Sequence, residues 1–254
     1  MPLVSTDAII LHAFDYLESS RILRLLTRDA GVRSVVAKGL RKSTRRFGGG
    51  VDLFARGTAH LYTKPGRDLD TLAGFEDLRV RFDLAADMAR FTGASVLAEL
   101  VLRFAREAEA DATLFDTLVH AVDGVADSAG SRAVEAVLAG AWRIVAALGF
   151  APAVERCSDC HAPFAADEQV LFSHPVGGAL CQRCGRIARG RLLPPLARAA
   201  LATWLQGDRL SGIDEAEGRA HQRLLREFLE EHLTDGRPLR AYSAWETERW
   251  SSAI

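Results

Sequence analysis

The chain has 254 residues, 48% of them hydrophobic and 26% charged, with a formal net charge of −1. That length and apolar content allow a substantial core and two or three domains, while Arg, Glu or Asp breaks every apolar run well before the length of a membrane span, which excludes a membrane-spanning protein. The near-zero charge hides a partition: residues 1–82 carry 14 Lys and Arg against 9 Asp and Glu, and the rest carries 18 against 24, so a basic front precedes an acidic remainder, and binding follows the local field rather than the sum.

From Val4 to Phe75 the pattern is short strand-like pieces separated by turns: Ala8–Ala13, Ser20–Thr27, Val32–Ala37, Val51–Tyr62 and Asp70–Phe75. Asp29-Ala30-Gly31 and Lys64-Pro65-Gly66-Arg67 read as hairpin turns. Five strands in about 75 residues predict a small barrel of the OB type. The stretch Arg33 to Phe47 supplies Arg33, Lys38, Arg41, Lys42, Arg45 and Arg46 without one acidic residue, and Gly48-Gly49-Gly50 then turns the chain into the next strand. A charge run is usually a solvated face. Between two strands of an OB-type barrel it lies where such domains flank a nucleic-acid groove, so these six residues are candidate phosphate contacts. A cationic loop neutralises phosphates but lacks the fixed geometry for reading bases, so low sequence preference is expected, with a log–log salt slope of about −4 if all six engage one strand. Phe47, Phe54 and Tyr62 are nearby aromatics for stacking or for filling the barrel.

Beyond Arg81 the spacing becomes helical: Leu84, Met88, Phe91, Ser95, Leu97 and Val101 in one long stretch, Leu114 to Val125 in a second, and Val134 to Leu148 in a third that Ser131 is placed to cap, with Gly149 and Pro152 ending it. Pro194-Pro195 opens another helix through Leu196, Ala200, Leu201 and Trp204, and Glu217–Leu233 supplies a last one. These stripes read as a packing core.

Between the helical stretches stand the only four cysteines, Cys157-x-x-Cys160 and Cys181-x-x-Cys184, with 20 residues between the pairs. Two such knuckles face to face supply the four soft ligands of tetrahedral zinc. The alternatives are two disulfides or unrelated thiols, and His161 and His174 stand near enough to replace a cysteine. A full cysteine set leaves no position for water, so the expected ion is one structural Zn2+ rather than a hydrolytic one. Met1 to Leu11 has no basic start and no long apolar run, so the expected location is the cytoplasm, where thiols stay reduced.

Enzyme templates fail. There is no GxxxxGK[ST], GxSxG or HExxH, and Asp68, Asp70, Glu76 and Asp77 read as charges that keep a turn and strand edges soluble rather than as a two-metal cluster. No catalytic residue is expected.

The order of parts resembles the bacterial RecO family: a basic N-terminal barrel with Lys38-Gly39-Leu40-Arg41-Lys42, a helical middle reaching Leu148-Gly149-Phe150, the doubled knuckle around Phe172 and Gly177-Gly178, and a closing Arg237-Pro238-Leu239-Arg240. The resemblance spans nearly the whole chain. It implies an α+β protein, with an OB-fold domain over 1–80 and a helical domain over 81–254 that carries a zinc-binding insert at about 153–190. It further implies a non-catalytic mediator of DNA repair and recombination. Such a protein binds single- and double-stranded DNA, anneals complementary strands, and works with RecR to place RecA on strands coated by SSB, in the cytoplasm near the nucleoid. By the same resemblance Lys38, Arg41, Lys42, Arg45 and Arg46 are the DNA contacts and Cys157, Cys160, Cys181 and Cys184 the zinc ligands. The competing reading is a zinc-knuckle adaptor whose basic loop meets an acidic protein. Arg183, Arg186, Arg189 and Arg191 make the second knuckle locally basic, an auxiliary phosphate contact or a solvated face.

Overall fold

Alternating apolar positions close the first part of the chain into a barrel. In the computed structural model, which describes residues 2–40, 51–63, 66, 68–207, 211–234 and 237–247, the strands are β1 (Leu3–Tyr16), β2 (Ser20–Thr27), β3 (Gly31–Ala37), β4 (Arg56–Tyr62) and β5 (Leu69–Arg79). Their order is β1-β2-β3-β5-β4, closed by β1 against β4, and only β3 and β5 run parallel. Ala8, Ile10, Leu23, Leu25, Val35, Leu61, Leu72 and Phe75 fill the interior. Each large member of that set contributes about 1.5–3 kcal/mol relative to an exposed side chain. The Asp29–Gly31 turn forms as expected. Gly31 sits at φ +64°, and a Cβ there would stand 2.2 Å from the Glu109 carbonyl oxygen, so no other residue fits.

The fourth strand begins at Arg56, five residues later than the pattern suggested. The cause is Phe54, which adopts φ +64° and donates its N–H to the Ile10 carbonyl at 2.8 Å. Its ring is 2% exposed and packs edge-on against Phe91, with centroids 5.8 Å apart. It therefore plugs the seam between barrel and helices instead of continuing a strand.

The helices are α1 (Phe82–Ala85), α2 (Met88–Phe104), α3 (Ala112–Ala126), α4 (Ser131–Ala147), α5 (Pro195–Gln206), α6 (Glu215–His232) and α7 (Arg240–Thr247). The first long stretch is two helices, because the Asp87 carboxylate accepts from the Arg90 N–H and starts α2 afresh. Met88 is exposed, whereas Gly93, Ala94, Val96, Leu97, Ala98, Leu100 and Val101 are buried. A helix packed by β1, α3, α4 and α7 shows no single stripe. Gly130, not Ser131, occupies the position before α4. Pro195 is the first residue of α5, as expected. A capping box between Asp214 and Glu217 starts α6 two residues early, and α7 follows it, burying Tyr242 and Trp245. No helix among the described residues is long and apolar enough to cross a membrane.

Barrel and helices share one buried cluster in which Ile9, Leu11, Leu26 and Val32 join Val101, Leu114 and Phe115. Ion pairs frame the seam: Arg28 with Asp116, Arg24 with Glu107 at 2.9 Å, and Arg81 with Asp123 at 2.6 Å.

Deep among the helices, His221 lies against Trp204 with ring centroids 4.6 Å apart, and neither ring nitrogen has a hydrogen-bond partner among the described residues. Burial lowers its pKa from 6.5 to about 4. Below pH 6.5 the unfolded chain takes up a proton that the folded chain refuses, so stability falls with pH and the loss levels off near pH 4 at about 3 kcal/mol. His174, also lowered chiefly by burial, adds in the same direction. Urea denaturation from pH 7 to pH 4 is expected to record this loss, with His221→Leu flattening it; an unaltered slope in that variant would refute the assignment.

Candidate functional site

The insert between α4 and α5 is a three-stranded sheet, β7-β6-β8, from β6 (Val170–Ser173), β7 (Gly178–Leu180) and β8 (Arg191–Leu193). Its apolar face is small: Val154, Val170, Phe172, Ala179 and Leu193 reach the main core, where Phe172 meets Phe228 at 6.1 Å between centroids. The first knuckle precedes β6 and the second starts directly after β7. In the first, the Cys157 N–H donates to the Ala162 carbonyl and the His161 N–H to the Cys157 carbonyl, each at 2.9 Å. In the second, the Gly185 N–H donates to the Cys181 carbonyl at 2.8 Å. The knuckles are drawn together at Gly178, where a Cβ would stand 2.5 Å from the Ala153 carbonyl oxygen and 2.7 Å from the Ser158 hydroxyl.

This geometry brings the sulfurs of Cys157, Cys160, Cys181 and Cys184 within 4.8 Å of one another. Cys160 and Cys181 sulfurs are 3.9 Å apart, far from the roughly 2.05 Å of a disulfide and close to the roughly 3.8 Å that follows from tetrahedral bonds of about 2.3 Å to one ion. The four thiols can hold a metal ion. His161 and His174 stand outside the group. His161 is a turn residue at φ +59°, and His174 has its Nε2 at 3.2 Å from the Leu224 carbonyl oxygen. Burial raises the Cys157 pKa, but the backbone N–H groups of Cys160, Cys181 and Asp159 outweigh it and bring the thiol to about 6. The Cys181 N–H points at its sulfur at 3.4 Å. Cys184 is pushed up instead, first by the Asp159 side chain, then by burial and the other three thiols. Thiols packed this closely resist ionising together, and a cation removes the conflict.

The cationic stretch divides. Strand alternation puts Arg33 in the inward register of Val35 and Ala37, where its guanidinium pairs with the buried carboxylate of Asp70. Lys38 is exposed just past the end of β3. Arg41, Lys42, Arg45 and Arg46 lie outside the described residues, as does Phe47. Of the other two aromatics, Phe54 is core and Tyr62 is 38% exposed at the end of β4. The four carboxylates on and just before the fifth strand form no metal-holding group among the described residues: Asp70 faces Arg33, and Glu76 meets His60 at 3.2 Å. Around the knuckle, Arg191 is bound by Glu227, while Arg183 adjoins the thiols of Cys184 and Cys160, which raise its pKa. Composition could not reveal the Arg33–Asp70 pairing, because it depends on the parallel register of β3 and β5, in which Val35 faces Asp70.

Comparisons with known proteins cover nearly all of this architecture. The family description "Recombination protein O N terminal" matches residues 1–81 and "Recombination protein O C terminal" matches residues 85–241. The chain is 36% identical over 242 residues to a protein of Anaeromyxobacter sp. (strain Fw109-5), spanning 92% of this chain and 91% of the relative. It is 36% identical over 250 residues to one of Anaeromyxobacter dehalogenans (strain 2CP-C), spanning 95% of each. A protein of Gloeobacter violaceus is 35% identical over 167 residues, 66% of this chain and 63% of the relative. All three relatives carry the name DNA repair protein RecO.

Proposed function

The chain belongs to the recombination protein O family, and on that premise we propose that it is a non-catalytic DNA-binding mediator of repair and recombination. In this reading it binds single- and double-stranded DNA, anneals complementary strands, and with RecR promotes RecA loading on SSB-coated DNA. It acts in the cytoplasm at the nucleoid. The observation that carries the reading is the exit of β3 from a closed OB-type barrel directly into Lys38 and the cationic stretch that follows.

Annealing needs no bond chemistry. A surface that neutralises phosphates on two strands lowers their repulsion and raises their effective concentration, while base pairing supplies specificity. Phosphate contact falls to Lys38, Arg41, Lys42, Arg45 and Arg46, with Arg33 held at the strand by Asp70. The barrel domain comprises residues 1–80 and the helical domain 81–254. One structural Zn2+ on the four cysteines orders the insert, and the acidic helical domain offers surfaces to protein partners.

Replacing Lys38, Arg41, Lys42, Arg45 and Arg46 together by Ala is expected to abolish strand annealing and DNA binding at moderate salt, with an unchanged melting temperature. In the wild type, five engaged cations correspond to a log–log salt slope of about −3.5 on a single strand. Fluorescent complementary strands report annealing and cleavage in the same assay. Binding that persists in the variant overturns the site, and cleavage overturns the non-catalytic reading.

A further inference from the structure

Strand β1 outlasts the barrel. It pairs with β4 only from Leu3 to Ile9 but with β2 from Ala8 to Tyr16, and β2 pairs onward with β3 from Arg21 to Thr27, so its last residues continue past β4 as the free edge of a β1-β2-β3 sheet. A register shift between Ile10 and His12 resets the alternation. Beyond it, Ala13 and Leu23 face the barrel core, while His12, Phe14 and Tyr16 stand on the outer face opposite Arg24, Ile22 and Ser20.

Three rings therefore line one face at alternate positions, a spacing of about 7 Å along the strand. The rings of His12 and Phe14 have centroids 5.6 Å apart. Phe14 is 44% and Tyr16 42% exposed, and His12 is exposed as well. Large rings gathered in water at one place mark a binding surface.

The chemistry beside them names the occupant. Ile22 pairs onward with Val36 and Arg21 with Ala37, the last residue of β3, so exposed Lys38 lies two strand spacings, about 10 Å, from the ring row. Asp15, the carboxylate within the row, belongs to the opposite face and meets Arg21 at 3.2 Å. Exposed rings next to a cation are the two elements of single-strand recognition: the cation takes the phosphate and the ring takes the base.

We propose that His12, Phe14 and Tyr16 form a base-stacking platform for a single nucleic-acid strand whose backbone passes Lys38. This rests on the phosphate-binding reading above and adds what that reading lacks, a surface that distinguishes a single strand from a duplex. Paired bases hide their faces, whereas unpaired bases of any sequence present them.

The test is oligothymidylate and duplex binding by the full chain carrying Phe14→Leu and Tyr16→Leu, with melting temperature as the control for folding. The double variant is expected to lose at least about tenfold in single-strand affinity, since each stacked base contributes about 1–3 kcal/mol. Duplex affinity and the salt slope stay unchanged, because no phosphate contact is removed. Tyr16→Trp keeps single-strand binding, and its indole emission is quenched as oligothymidylate is added. Unchanged single-strand affinity in the double variant, or equal losses for single strand and duplex, overturns the platform while leaving the basic-loop reading in place. Loss of binding to a protein partner with DNA affinity intact also overturns it, by making this sheet edge a protein-docking surface. A wild-type chain that binds neither form of DNA fails the parent reading instead.

Discussion

Stripping the metal from the four-thiol site is expected to unfold the insert from Ala153 to Leu193 while the barrel stays closed. The three strands of the insert contribute only ten residues, and few of its side chains reach the main core. In isolated zinc modules the ion contributes about 10–16 kcal/mol at neutral pH. Here Phe172 on Phe228 anchors part of the insert without metal, so a loss of several kcal/mol is expected, a large share of the roughly 5–15 kcal/mol that stabilises a domain. Calorimetry with and without a strong chelator measures the loss, hydrogen exchange localises it, and elemental analysis gives one zinc per chain. Cys157→Ser is the most damaging single change, because that sulfur is buried and receives the Cys181 N–H. Four titratable thiols in metal-free protein, together with a melting temperature indifferent to chelator, would remove the structural ion from the account.

Arg81→Leu is expected to weaken the joint between barrel and helices by about 3 kcal/mol, the lower end for breaking a buried pair. The Arg81 side chain is 1% exposed, pairs with Asp123 at 2.6 Å and donates to the Phe54 carbonyl oxygen. Burial lowers its pKa and Asp123 opposes that shift, so the ion pair keeps a guanidinium charged where water does not reach. Substitution leaves the carbonyl of Phe54, a residue held in the left-handed conformation, without this donor. Arg79 still reaches Asp123 at 3.1 Å, which limits the cost. A double-mutant cycle with Asp123→Asn isolates the pair by urea denaturation, and a loss under about 1 kcal/mol would place Arg81 among ordinary surface cations.

The Arg81 joint sits where the chain departs from its simplest pattern. Phe54 follows strand-like residues and ends as a plug, because the space between Ile10 and Phe91 accepts a ring and Arg81 holds the carbonyl behind it. Met88 falls on an apparent helical stripe and ends in water, because α2 is packed on several sides and its burial follows neighbours rather than period. Helix α7 was not legible, since eight residues with two buried aromatics carry too little periodicity; Tyr242 is held there by its hydroxyl donating to the Gln222 carbonyl at 2.6 Å.

The sequence by itself determined the parts whose signals are local. Strand alternation specified the five-stranded barrel, helical spacing specified most of the bundle, and the doubled CxxC named the four thiols that the fold brings together and that can hold a metal ion, because two knuckles carry their ligand spacing within a few residues each. Tertiary structure alone decided which cations and aromatics remain available. Arg33 and Lys38 look alike in the sequence, yet the register of β3 turns one toward Asp70 and leaves the other exposed. Phe54 and Phe14 look alike as well, yet closure of the barrel buries the first and the overhang of β1 leaves the second in water. Pairing and burial join residues distant along the chain, and no local pattern records them.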